Sequence, residues 1–185
     1  LSEGKTKNIF MSEIKFGTDG WRAIIAKEYT TDNVSRVSIA VAAWLHSKYK
    51  DPVVVIGHDC RFAGQLFAET AAKVLAHSGV RVKLAKGFVS TPMVSLGVVK
   101  EQANLGVVIT ASHNPPEYNG IKIFDHNGQK ITKTFENKIQ KLVEEQNQSV
   151  PTKDIYLKTN KELMDIYMKS LIQTMGGGNL SGMKI

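Results

Sequence analysis

A single cysteine, Cys60, rules out an internal disulfide and fits a reducing, cytoplasmic setting. No apolar run approaches the roughly 20 residues of a membrane span, and no charged-then-apolar secretory pattern is present. A membrane is therefore not an expected partner. Acidic residues are in deficit, 17 against 24 Lys and Arg, which leaves a net charge of +7 and an expected taste for anions. The lysines are scattered and no basic run is interleaved with aromatics, so nucleic acid is not an expected partner either. If charge alone did drive nucleic-acid binding, affinity would fall steeply with salt. Two catalytic patterns are missing: Gly-X-Ser-X-Gly, which excludes the hydrolase elbow, and any closely spaced Asp-X-Asp-X-Asp run. Repeats and low-complexity tracts are absent as well. What remains, 42% hydrophobic and 22% charged over 185 residues, suffices for one α/β domain with a full core, with or without an appendage.

The elements present alternate. Ile14 to Phe16 and Ala23 to Ile25 read as short strands around Gly17-Thr-Asp-Gly-Trp-Arg22. Thr31 and Asp32 open a helix carrying Val34, Val37, Val41, Trp44 and Leu45, which Asp51-Pro52 ends. Val53 to Ile56 is a buried strand and Gly57-His-Asp-Cys-Arg61 the loop at its carboxyl end. A helix from about Gly64 should turn Leu66, Phe67, Thr70, Ala71, Val74 and Leu75 inward, before a strand at Val80 to Ala85. Thr91-Pro92 suits the start of a third helix, with Thr91 as N-cap. A fourth, capped by Thr132, carries Phe135, Ile139, Leu142, Val143 and Gln146; a fifth carries Leu163, Ile166, Tyr167, Leu171 and Thr174. Asn147 to Lys153 reads as a linker and Met183 to Ile185 as a beginning strand. This alternation predicts an α/β fold, a three-layer α/β/α sandwich around a mostly parallel four-stranded mixed sheet.

The central stretch is Leu105 to Phe124. Its apolar start, Leu105 to Ile109, is short enough for a strand buried on both faces. Thr110-Ala-Ser-His-Asn-Pro-Pro116 then stops it, because two prolines remove two donors and fix φ. Asn114 is pushed towards an extended conformation by the proline after it. A hydroxyl, an imidazole and an amide thus stand on a stiffened loop at the carboxyl end of a buried strand, where open α/β sheets bind ligands. A turn at Asn119-Gly120 and an antiparallel edge strand, Ile121 to Phe124, should return Lys122 towards the loop. By spacing alone Ser112 reads as a turn serine bonding its own loop, Lys122 as an edge-strand lysine, and Asn119 and Gly120 as turn residues.

Thr110-Ala-Ser-His-Asn-Pro115 with Asn119-Gly-Ile-Lys122 resembles the phosphoserine loop of the α-D-phosphohexomutases, the phosphoglucomutase and phosphomannomutase family. Phe16-Gly-Thr-Asp-Gly-Trp-Arg22 and Gly57-His-Asp-Cys-Arg61 agree in the family's order. The resemblance covers the first of the family's four domains. It implies that Ser112 carries a phosphoryl group and exchanges it with a hexose monophosphate through a hexose 1,6-bisphosphate, which also serves as activator. It further implies Lys122 as the acid/base, and Arg22 and His113 as phosphate-binding groups, His113 being nearly as well read as a loop-stabilising residue. Asp59, Arg61, Asn114, Asn119 and Gly120 become loop supports. The family's Mg²⁺ would take an oxygen of phosphorylated Ser112, its other ligands belonging to the second domain.

The expected partners are thus a phosphorylated hexose and further domains of a longer parent chain. Residues 1–153 would form the phosphoserine-bearing domain, with 1–10 a leader before Met11, and 154–185 a linker helix towards the second domain. Such a fragment is expected to be inactive alone. Two alternatives stand beside this reading: a phosphoglucosamine mutase fragment, and a free-standing, non-catalytic phosphate-binding or assembly module.

Overall fold

The computed structural model describes residues 13–17, 20–145, 159–160 and 162–176. In order these form β1 (Trp21–Ile24), α1 (Thr31–His46), β2 (Val53–His58), α2 (Gly64–His77), β3 (Arg81–Ala85), α3 (Thr91–Lys100), β4 (Leu105–Ile109), β5 (Tyr118–Phe124), α4 (Lys133–Glu145), β6 (Thr159–Asn160) and α5 (Glu162–Thr174). The strands make one mixed sheet in the order β1-β5-β4-β2-β3-β6. The inner strands β4, β2 and β3 run parallel with β6, while β5 lies antiparallel to both β4 and β1.

Every residue of β2 and of β4 is buried, because helices cover both faces. One core packs α1, α2 and α4 against Val54, Ile56, Ile109, Ile121 and Ile123; a second packs α3 and Leu163 of α5 against Val55, Val108 and Phe124. The three-layer α/β/α arrangement is therefore the one the alternating pattern predicts. The helices start on local chemistry. The Thr30 hydroxyl accepts from the Asn33 N–H at 3.2 Å ahead of α1, and Ser90, one residue before the expected Thr91, is the N-cap of α3, with Pro92 in its first turn.

Several expectations need correction. The sheet has six strands, since β1 and the two-residue β6 add to the four expected. β1 covers β5, so β5 is not an edge strand. Asn119 and Gly120 are not a turn but lie within β5, facing Ala23 and Arg22; the reversal comes earlier, where Tyr118 N–H donates to the Pro115 carbonyl at 3.1 Å. Ile14 and Phe16 are buried, but the segment forms no strand, because a side chain supplies its backbone partners. Phe16 N–H donates to Gln140 Oε1 at 3.0 Å and Gln140 Nε2 donates to the Ile14 carbonyl at 2.6 Å. On α2, Leu66 is exposed, and Ala68 and Ala72 take the inward positions beside Phe67. Thr18, Asp19, the leader, the 147–153 linker and the strand at Met183 lie outside the described residues.

Candidate active site

The loop after β4 is held at both ends before it presents anything. Thr110 N–H donates to the Gly120 carbonyl at 2.9 Å, extending the β4–β5 ladder by one residue. Asn114 N–H donates to the Ala111 carbonyl at 3.0 Å and closes a turn through Ser112 and His113. Ser112 has φ +55°, and His113 is not left-handed. A positive φ at the first central position of a turn is ordinarily glycine's. Serine there stores strain, and strained backbone gathers at functional sites. Ser112 and His113 are exposed.

Arg61 holds the turn in place. Its Nη2 donates to the carbonyls of Ser112 (2.8 Å) and Asn114 (2.5 Å), and its Nη1 to those of Pro115 (2.8 Å) and Tyr118 (3.0 Å). One guanidinium therefore collects four carbonyls from the turn and the start of β5. Asp59 anchors Arg61 in turn. Its Oδ1 accepts from the Arg61 backbone N–H at 3.0 Å, and its Oδ2 lies 3.6 Å from Arg61 Nε. Asp59 Oδ2 also accepts from the Thr110 hydroxyl at 2.5 Å. The β2 loop thus faces the β4 loop through paired charge and directed hydrogen bonds, because the two strands are adjacent and parallel.

The remaining candidates come from β1 and β5. Arg22 Nη1 donates to Asn114 Oδ1 at 2.8 Å. To reach it, the side chain passes over Gly120: a Cβ there would lie 2.8 Å from Arg22 Cγ, and also 2.7 and 2.8 Å from the carbonyl oxygens of Trp21 and Thr110. Asn119 is fully buried; its Nδ2 donates to the Phe62 carbonyl at 3.2 Å and its Oδ1 accepts from the Gly120 N–H at 2.9 Å. Lys122 is half-buried opposite Val108. Arg22 pairs with Gly120 and Lys122 lies two residues further along, so both cations belong to one face of the sheet.

Ser112, Asn114, Arg22, Arg61 and Asp59 are thereby joined in one network, with Lys122 on the adjoining strand. Two further contributors receive no role from the sequence: Tyr29, outside every motif, and Thr110, the first residue of the loop motif. The Tyr29 hydroxyl donates to the Gly120 carbonyl at 2.9 Å beneath the loop, its ring packed between Trp21 and Phe67. Burial, and then the Asp59 charge, push its phenol well above the ordinary value of 10.0. Thr110 is the other; its place two residues before Ser112 is the signal that identifies it as a hydroxyl able to bond the turn. Among the described residues no group of three or more His, Cys, Asp or Glu could hold a metal ion. Ser112 contributes a single oxygen, so the described donors do not fit a magnesium site by themselves.

Residues 13–150 match the sequence model of the phosphoglucomutase/phosphomannomutase α/β/α domain I. The chain is 54% identical over 172 residues to a phosphoglucosamine mutase of Prochlorococcus marinus strain MIT 9312, covering 92% of this chain and 37% of the relative. Against the phosphoglucosamine mutase of Clostridium acetobutylicum it is 37% identical over 174 residues, 92% of this chain and 38% of that one. The fold superposes on the crystal structure of a Thermus thermophilus protein assigned as a phosphomannomutase, with a TM-score of 0.82 at 33% identity. That match covers 89% of this chain and 37% of the other. The chain thus spans little more than a third of the length of these relatives. With the motifs, the sheet and the family match in agreement, the chain belongs to the α-D-phosphohexomutase family and carries its first α/β/α domain.

Proposed function

We propose that this chain is the phosphoserine-bearing domain of a mutase that interconverts the 6-phosphate and 1-phosphate of an amino hexose. The observation that carries the chemistry is Ser112: exposed, left-handed and fastened through its carbonyl to Arg61 at the carboxyl end of the central strand. The amino-sugar preference rests on relatives at 54% and 37% identity being named phosphoglucosamine mutase. Their names point more narrowly than the motifs, which glucose, mannose and glucosamine mutases share.

In the proposed cycle the free hydroxyl of the sugar monophosphate attacks the phosphorus of phosphorylated Ser112. The bond from phosphorus to Ser112 Oγ breaks as the bond to the sugar oxygen forms. The hydroxyl proton passes to Lys122 Nζ, the acid/base in this reading. The resulting hexose bisphosphate turns end for end. Ser112 Oγ then bonds to the phosphorus of the other phosphoryl group as that group's bond to the sugar oxygen breaks, and Lys122 returns the proton to the freed sugar oxygen. A phosphoserine carries about −1.5 to −2 charge, so cations are needed around it. Arg61 is bonded directly to the turn, Arg22 reaches it through Asn114, and His113, exposed on the same turn, is the group assigned to phosphate oxygens in this reading. No step is assigned to the magnesium ion, whose remaining ligands are expected in the adjoining domain.

We further infer two units, residues 1–153 as the phosphoserine domain and 154–185 as the connection onwards, in a cytoplasmic enzyme; no described helix is long and apolar enough to cross a membrane. A chain spanning 37% of its relatives should fold yet turn over no hexose phosphate by itself. The test is to replace the first domain of the Prochlorococcus relative with residues 13–150 and assay glucosamine 6-phosphate. Turnover by the graft, absent from the isolated chain, supports the reading; a folded, inactive graft contradicts it.

A further inference from the structure

We propose that Thr110 is a positioning residue, holding Ser112 in its left-handed conformation and so presenting the Ser112 hydroxyl for phosphoryl exchange. Three observations carry this. Thr110 Oγ1 donates to Asp59 Oδ2 at 2.5 Å and accepts from the Ser112 N–H at 2.9 Å. Ser112 has φ +55°, a conformation that L-residues keep only when the surroundings impose it. Thr110 itself is buried and pinned to β5 by its own N–H.

The direction of these bonds follows from the groups. A carboxylate can only accept, so the Thr110 hydrogen lies towards Asp59. The lone pairs of Oγ1 are then left for the Ser112 N–H, which can only donate. Asp59 cannot swing away, because the Arg61 backbone N–H and guanidinium hold it from the other side. One hydroxyl therefore transmits the position of the β2 loop to the peptide plane of Ser112. It also separates the two hydroxyls of the loop chemically. Thr110 is buried with its donor spent on Asp59, while Ser112 is exposed, so only Ser112 is offered to a phosphoryl group.

The consequence for catalysis rests on the proposed phosphoserine function, but the conformational claim does not, and the test separates them. In the 185-residue chain, Thr110→Val keeps the shape and removes both hydrogen bonds; Thr110→Ser keeps both. The expected result is that Thr110→Val shifts the Ser112 amide proton resonance and its H–N–Cα–H coupling. Exchange of that amide should quicken by about tenfold or more, the loss of one hydrogen bond to a polarised hydroxyl. Amides of β4 should exchange as before, and Thr110→Ser should restore the Ser112 signature. In the graft described above, Thr110→Val should lower kcat with KM little changed, and Thr110→Ser should recover it. An unaltered Ser112 amide in Thr110→Val, or no recovery in Thr110→Ser, overturns the positioning claim. So does a changed amide signature with undiminished kcat. A graft that folds but never turns over in its unsubstituted form overturns the phosphoserine function instead, leaving the amide signature to decide the conformational claim.

Discussion

At the residue scale the site is built on a serine in a glycine's place. A left-handed L-residue costs about 1–2 kcal/mol, and glycine avoids that cost while losing about 0.5–1 kcal/mol of its own in chain entropy. Ser112→Gly should therefore be more stable than Ser112→Ala by up to about 1 kcal/mol, or about 2–4 °C in Tm for a domain of this size. Neither variant could carry phosphate. Thermal melts of the pair check this, and an alanine variant melting above the glycine one would contradict the strain. Arg61 is the complementary case. Arg61→Met keeps its bulk and removes every bond to the four loop carbonyls, so it should cost about 2 kcal/mol and speed amide exchange at residues 112–118. The serine, the histidine and Arg61 could be named from the sequence because each belongs to a motif. The left-handed turn could not: the prolines announce a stiff loop, but which residue takes the strained conformation depends on Arg61, Thr110 and Asp59 meeting across two strands.

At the scale of elements, the alternation of buried runs and helical spacings placed α1 to α5 and the β2, β3, β4 and β5 strands. It misplaced what depends on sheet edges. Asn119-Gly120 has the composition of a turn, yet the pair lies in β5, where tertiary contacts decide. Asn119 is buried with both ends of its amide bonded, and Gly120 leaves room for Arg22 to cross. Gly120→Ala should accordingly be severe. The new methyl group would meet two backbone oxygens within 2.8 Å, and neither can move without breaking the β1–β5 or β4–β5 ladder. A loss of about 2–3 kcal/mol in a urea titration is expected, with Arg22 displaced from Asn114. A neutral substitution would show that Arg22 reaches the loop by another path. Ile14 to Phe16 carries the same lesson: its apolar alternation is that of a strand, but Gln140 of α4 provides the partners that a neighbouring strand would have supplied.

At the scale of the whole molecule, the layer beneath the loop couples stability to pH. Tyr29 ionises well above 10.0 in the folded chain, through burial first and the Asp59 charge second. Folding therefore favours the protonated phenol. Its contribution is fully present below about pH 10, the unfolded value, and is lost as pH rises from there towards the folded value. Denaturant titrations should show stability falling more steeply above about pH 10 in the unsubstituted chain than in Tyr29→Phe; equal slopes would contradict this. Helix α5 is covered over only part of its apolar surface. Leu163 is buried in the notch that Gly97 leaves, whereas Met168, Leu171, Ile172 and Met175 at the α5 end are exposed. Amides of α5 should exchange faster than those of β4 in a verified monomer, and equal protection would show that α5 is as firmly held as the core. The central claim, that Ser112 is the covalent phosphoryl carrier, has a direct measurement. The graft of residues 13–150 into the Prochlorococcus relative is incubated with glucosamine 1,6-bisphosphate and its phosphopeptides are mapped by mass spectrometry, alongside Ser112→Ala and Lys122→Ala. Phosphate is expected on the Ser112 peptide of the unsubstituted and Lys122→Ala grafts, more slowly in the latter, and none in Ser112→Ala. Phosphate on another residue, or normal turnover by Ser112→Ala, would contradict it.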